Sequence, residues 1–246
     1  MKVAERLVKG RFIERPNRFL GIVQMNKKKR IKCHIPNPGR MEKFLKKGTE
    51  VLPEHRPSPR RKTQYTMLYV KKDGFLILID SILSNKIFRE ALEKQKIPEF
   101  RKYKMIEAEK PYGKNRKSRI DFLLDERVYI EIKSVNYQEQ EKGYFPDAPS
   151  KRAQRHLKEL SQIARNAKID HESPEKKGLN SSQAWVVFLV QRNEIQSVSP
   201  FDEIDPTFGQ LLRKGLKMGL KTRAYKIRFT EQGKSAFLGK EIPVLI

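Results

Sequence analysis

Ser118-Arg119-Ile120-Asp121-Phe122-Leu123-Leu124-Asp125-Glu126-Arg127-Val128-Tyr129-Ile130-Glu131-Ile132-Lys133 sets two apolar runs on either side of a polar triplet, Asp125-Glu126-Arg127. That pattern predicts a β-hairpin with a short turn. A turn centred on Glu126 places Asp121 opposite Glu131 on the neighbouring strand. Side chains alternate along a strand, so Lys133 shares the face of the two acids, and Ile120, Phe122, Leu124, Val128, Ile130 and Ile132 take the other. Like charges directly opposed across a sheet are destabilising. A carboxylate pair at that distance points instead to a cation held between them, with an ammonium alongside. Mg²⁺ or Mn²⁺ suits such a site, because it prefers hard oxygen ligands and keeps several waters. Asp121, Glu131 and the Ile132 carbonyl are the candidate ligands. Asp121, Glu131 and Lys133 are the candidate catalytic set for metal-assisted phosphodiester hydrolysis, with Lys133 positioning water or stabilising charge on the phosphorane. The competing reading is ordinary surface charge, since Asp-x(n)-Glu-x-Lys alone is a loose pattern.

The remainder of the chain favours the chemical reading. Its 246 residues carry a formal net charge of +25, and 34% of them are charged. A domain so basic repels itself unless it meets a polyanion, and nucleic acid is the commonest one. Residues 1–82 hold 21 Lys/Arg against 7 Asp/Glu, and residues 83–246 hold 33 against 22, so the N-terminal third is the more basic part. Cys33 is the only cysteine, which excludes a disulfide framework and a cysteine zinc site. The longest apolar run, Ala184 to Val190, is too short to span a bilayer, and neither a basic amphipathic helix nor an apolar leader is visible. A cytoplasmic protein with no membrane partner is expected.

Strands are expected at Leu7–Ile13, Phe19–Gln24, Ile31–Ile35, Thr49–Leu52, Thr63–Lys71 and Phe75–Ile79, with a short helix at Met41–Lys46. Short strands with one small helix suit a closed barrel of the oligonucleotide-binding (OB) kind over residues 1–82. Residues 83–246 read as an α/β domain with a mixed sheet. Its helices are expected at Ser84–Gln95, Ser150–Ala167 and Pro206–Met218, with a buried central strand at Ala184–Val190 and another at Arg223–Phe229. The polar segment Ile169–Ser182 reads as an insertion or loop.

Asp121, Glu131 and Lys133 resemble the active-site core of the PD-(D/E)xK nuclease superfamily. The surrounding text narrows this to a resemblance to the sugar fermentation stimulation protein A family. The matching stretches run from His34 to Met41, then Tyr112-Gly113, Ser118 to Phe122, Glu131 to Val135, Gly143 to Ala148, and Arg152 with His156 to Leu160. The resemblance covers almost the whole chain in order. It implies an OB-like N-terminal barrel, a nuclease-like C-terminal domain and DNA binding. It leaves two functions open: a divalent-metal-dependent nuclease, or a non-catalytic DNA-binding regulator of sugar metabolism on a nuclease-like scaffold. RNA is a further partner that both domains would tolerate, and a homodimer would suit cleavage of two strands.

Other residues carry paired readings. Asn37 and Arg40 can face a phosphate or base, or simply belong to a turn shaped by two prolines and a glycine. Arg119 in the basic loop, and Arg152 and His156 beside the apolar stripe of a helix leading out of the Lys133 strand, are candidate phosphate contacts. Glu109 and Glu90 are candidate third acids. Gly143–Ala148 either lines the cleft or is a tight connection with Tyr144 and Phe145 in the core.

Overall fold

The computed structural model describes the chain apart from Lys27, Lys28, Pro38, Arg40, Lys43, Lys114, Asn115, residues 173–180 and Glu231, and apart from the side chains of 170–172. Six strands come first: β1 (Gly10–Asn17), β2 (Leu20–Gln24), β3 (Arg30–His34), β4 (Glu50–His55), β5 (Tyr65–Lys72) and β6 (Phe75–Leu78). They hydrogen-bond in the order β3-β2-β1-β4-β5-β6, and a parallel β3–β5 pairing closes five of them into a barrel. The expected OB-type barrel is therefore present. Alternating apolar residues fill it, among them Phe12, Val23, Ile31, Cys33, Val51, Met67, Val70 and Ile77. Burial pushes the Cys33 thiol up to about 12, so Cys33 is an inert core residue.

Two expectations fail here. No helix is formed by the described residues of Met41–Lys46; Phe44 and Leu45 both donate to the Met41 carbonyl. Met41, Phe44 and Leu45 do plug the barrel core, which explains the helical spacing. Six residues are too few to meet the cost of helix nucleation, and Met41 sits at φ +54°. The first strand begins at Gly10 rather than Leu7, which makes only an isolated bridge to Glu54.

Beyond the barrel come α1 (Ser81–Glu93), a 3₁₀ turn (Pro98–Phe100), β7 (Ile106–Tyr112), β8 (Ser118–Leu124), β9 (Val128–Val135), β10 (Tyr137–Glu139) and β11 (Lys142–Phe145). Then follow α2 (Lys151–Glu172), β12 (Gln183–Val190), β13 (Ser197–Pro200), α3 (Pro206–Lys217), β14 (Lys221–Phe229) and β15 (Ala236–Ile242). The main sheet has the order β15-β14-β12-β9-β8-β7. It is mixed, because β9 pairs antiparallel with β8 and parallel with β12. Ala184, Val186, Phe188 and Val190 of β12 pack with Ala153, Leu157, Leu160 and Ala164 of α2 and with Phe208 and Leu212 of α3. Burying the aromatic and branched residues of this cluster contributes on the order of 1.5–3 kcal/mol each. A second sheet, β10-β11-β13, was not expected; its β11 occupies part of the stretch read as a connection. Phe145 packs on Phe188 and Phe208 at the edge of the core, and the partly exposed Tyr144 stacks with Tyr137 and Phe201. Helix α2 runs into the segment read as a loop, and the rest of that segment up to 180 lies outside the described residues.

The chain forms two compact units. One comprises Met1–Phe88, Gln191–Glu194 and Lys226–Gly239; the other comprises Arg89–Val190, Ile195–Tyr225 and Lys240–Ile246. Among the described residues no helix is long and apolar enough to cross a membrane.

Candidate functional site

The hairpin forms with the expected register. Leu124 pairs with Val128, Leu123 with Tyr129 and Phe122 with Ile130, so the turn centres on Glu126. The backbone ladder stops there. At the next position the Asp121 carboxylate takes over, its Oδ2 accepting the Ile132 N–H at 2.7 Å. Asp121 is thus fixed against the peptide that links Glu131 to Lys133, with its side chain half-buried. The clean alternation of faces also changes at this point: Ile120 joins the cluster under α2, as do Leu123 and Tyr129.

Glu131 and Lys133 lie on the central strand, opposite Val186 and Phe188 of β12. They are 4% and 8% exposed, and Lys133 Nζ is 2.6 Å from Glu131 Oε1. His156, on the inner face of α2 and 1% exposed, brings its Nδ1 to 2.5 Å from the same oxygen. With the carboxylate ionised, Nδ1 carries the proton and donates. Burial pushes the Glu131 carboxyl up, but Lys133 and the His156 hydrogen bond outweigh it and hold the carboxyl below its ordinary range. Glu131 is therefore a buried anion whose Oε1 is doubly engaged.

Its other oxygen is not. Glu131 Oε2 is buried without a hydrogen-bond partner among the described residues, and so are Glu159 Oε2 and the Tyr112 hydroxyl. These groups share one neighbourhood: burial and the charges of Glu131, Glu159 and Asp121 together raise the Tyr112 hydroxyl's pKa. His156 packs edge-on against the Tyr112 ring, with centroids 6.2 Å apart. The Glu159 carboxylate lies against Gly113, where an added Cβ would fall 2.8 Å from Oε1, and Gly113 has φ +80°. The positive φ favours glycine there.

Orphaned buried carboxylate oxygens are costly. A divalent cation with its waters is one partner that would satisfy them, so this donor set fits a hard, oxygen-ligated metal. Among the described residues no three His, Cys, Asp or Glu side chains stand close enough to hold a metal by themselves. A cation here would complete its shell with water and main-chain oxygen. At Ile132 the structure gives the N–H bond to Asp121.

The other candidates divide. Arg119 and Arg152 are exposed on β8 and at the start of α2. His156 is not a surface phosphate contact; buried behind Glu131, it positions that carboxylate. Asn37 is engaged in its own turn, donating from Nδ2 to the Ile79 carbonyl at 2.9 Å and accepting the Gly39 N–H at 2.8 Å. Arg40 lies outside the described residues. Glu90 pairs with Lys94 at 2.8 Å, and Glu109 is exposed beside Asp121 on β7 with φ +55°. The third acid near the site is Glu159, and Tyr112 completes the group. Both sit within the stretches that carry the family resemblance; Glu159 shares the helix stripe of Arg152 and His156, whereas no periodicity singles out Tyr112. Arg155, exposed and 3.3 Å from Ser118 Oγ, is a further basic residue that the sequence reading passed over.

Comparison with known proteins follows the same two-part layout. The family described as "Sugar fermentation stimulation protein RE domain" matches residues 82–172 and 175–233, and "SfsA N-terminal OB domain" matches residues 13–79. The chain belongs to the sugar fermentation stimulation protein family. A family member from Caldanaerobacter subterraneus subsp. tengcongensis is 39% identical over 228 residues, covering 92% of each chain. Another from Acetivibrio thermocellus is 34% identical over 250 residues and covers all of both. Among solved structures, "The structure of Pyrococcus Furiosus SfsA in complex with Ca2+" superimposes with a TM-score of 0.86 at 29% identity, covering 100% of this chain and 98% of that one. The fold of this chain is thus shared with a relative whose structure is described in complex with Ca2+.

Proposed function

We propose that this protein is a DNA-binding, divalent-metal-dependent nuclease that hydrolyses phosphodiester bonds at the Asp121–Glu131–Lys133 site. The observation that carries this reading is Glu131: a buried, ionised carboxylate with one oxygen held by Lys133 and His156 and the other without a partner. The Ca2+ in the structure of the Pyrococcus furiosus relative supports a divalent cation site. Mg²⁺ or Mn²⁺ bound there would polarise the phosphoryl oxygen and lower the pKa of the attacking water.

The chain's own residues do the rest. Asp121, braced by the Ile132 N–H, and Glu131 supply negative charge at fixed positions. The Lys133 ammonium, beside Glu131, stands where charge builds on the phosphorane, and its location in a nearly dry site strengthens that interaction. Arg119, Arg152 and Arg155 are exposed and basic, and they are the groups to hold the phosphates that flank the scissile bond. The strongly basic first third of the chain supports nonspecific affinity for a polyanion.

The decisive experiment incubates the pure protein with duplex and single-stranded DNA and with RNA, in Mg²⁺, Mn²⁺ or EDTA, beside Asp121→Ala and Lys133→Ala. Metal-dependent cleavage that falls by at least about 10²–10³-fold in both variants, with binding retained, is expected. Binding without cleavage of any substrate by the unmutated protein would instead select the DNA-binding regulator on a nuclease-like scaffold. The name carried by the relatives supports that second reading.

A further inference from the structure

Trp185, the only tryptophan in the chain, sits on β12 at the end of the strand away from Lys133. Val186 and Phe188 point into the cluster under α2 and α3, so Trp185 alternates to the opposite face of the sheet, where Phe100 meets it edge-on at 5.2 Å. Beside it opens a groove of about 580 Å³ lined by Lys102, Tyr103, Gln183, Lys221 and Arg223, among others. Lys221 Nζ lies 5.1 Å from the Trp185 ring centroid and Arg223 lies 5.6 Å from it; Lys102 lies 5.3 Å from the Tyr103 centroid.

These cations are unequally satisfied. Arg223 is neutralised by Glu99 at 2.8 Å and Glu241 at 3.0 Å. Neither Lys102 nor Lys221 has a carboxylate within ion-pair distance among the described residues. Lys221 is held in place by one bond, to Gln183 Oε1 at 3.1 Å, and Gln183 in turn donates to the Tyr103 hydroxyl at 3.2 Å. Each ammonium has three donors to place. Partial burial, and then the charges of Lys102 and Arg223, lower the Lys221 pKa. Two ammonium groups that line one groove over aromatic faces, neither with an acid of its own, make a surface that attracts anions.

We propose that this groove is a second anion site, separate from the candidate catalytic residues, that takes a phosphate group bridged between Lys102 and Lys221. The phosphate belongs either to a free phosphorylated compound or to a nucleic-acid backbone. The site requires nothing from the proposed cleavage chemistry and stands or falls independently of it.

Trp185 makes the test direct, because its emission responds to the charge over its ring. Full-length protein is titrated with pyrophosphate, and separately with a short single-stranded and a short duplex oligonucleotide, at fixed ionic strength and without divalent metal. A saturable change in tryptophan emission is expected, weakened at least about tenfold in Lys102→Gln and in Lys221→Gln. Both lysines are exposed, and thermal melting verifies that the variants fold. Saturation by pyrophosphate identifies free phosphate compounds as the source, whereas saturation by oligonucleotide alone identifies the backbone. No saturable change with any of the three ligands overturns the proposal. Undiminished affinity in both lysine variants overturns it equally.

Discussion

Asn37 and Glu131 both stand in family-like stretches, one just after β3 of the barrel and one within β9 of the mixed sheet. Their polar atoms are used very differently. Asn37 has its Nδ2 and Oδ1 taken up by Ile79 and Gly39, while Arg15 reaches across to the Asn37 and Gly39 carbonyls at 2.9 and 2.8 Å. The turn is closed on itself. Around Glu131, by contrast, three buried polar atoms on Glu131, Glu159 and Tyr112 have no partner among the described residues. Buried polar groups are almost always hydrogen-bonded, so a cluster of exceptions calls for a partner such as water or an ion. The Asn37 amide is used up by the barrel, whereas the group around Glu131 still has acceptors to offer.

The sharpest way to break this contrast is to remove the anion. Glu131→Ala leaves Lys133 buried without its carboxylate, and a stability loss of about 3–5 kcal/mol is expected by urea unfolding. A variant as stable as the parent would mean that the Lys133–Glu131 pair is not held as the geometry shows. His156→Ala comes next. It frees one side of Glu131 Oε1 without touching DNA, so metal-dependent cleavage should fall about 10–100-fold. DNA affinity measured in EDTA should stay constant. An equal loss of affinity would return His156 to the phosphate-binding role that its helix position first suggested.

The barrel side of the comparison predicts the reverse pattern. Asn37→Ala removes both bonds that close the turn, and it should cost about 1–2 kcal/mol of stability. DNA binding by the folded variant should be unchanged. Weakened binding at full stability would show that Asn37 faces a ligand after all.

How much of this could be read in advance depends on the range of the interaction. The hairpin register came out as expected because it follows from strict alternation about a turn at Glu126, a purely local rule. Helices α2 and α3 were visible for the same reason. The Asp121–Ile132 bond was not, since it exists only where the ladder stops. Nor was the role of His156: its spacing from Arg152 and Glu159 fixes a helix stripe, but only the packing of α2 on the sheet buries it against Glu131. Residues 41–46 failed in the other direction. Apolar spacing there reflects the plugging of a barrel end, a tertiary requirement that imitates a helix. The parallel pairing of β11 with β13 joins residues more than fifty positions apart, and no local pattern announces it.

The smallest expected effect concerns a carboxylate that is satisfied and still costly. Asp80 precedes α1, and its Oδ1 accepts the Leu83 N–H at 3.0 Å in an N-cap. Burial raises its pKa from the ordinary value of 3.8, outweighing the Leu83 hydrogen bond and the nearby charges of Arg56 and Lys86. A carboxyl whose folded-state pKa is raised stabilises the fold below the unfolded value, and that contribution is lost as pH rises through the folded one. Asn has a similar shape, caps as well and carries no charge. Asp80→Asn should therefore match the parent in Tm near pH 3 and exceed it slightly at pH 7, with the gap opening above the unfolded aspartate value. A gap that opens with the opposite sign would mean that the cap needs its charge. Asp80 would then join Glu131 as an anion the fold is built to keep, rather than stand with Asn37 as a closed structural contact.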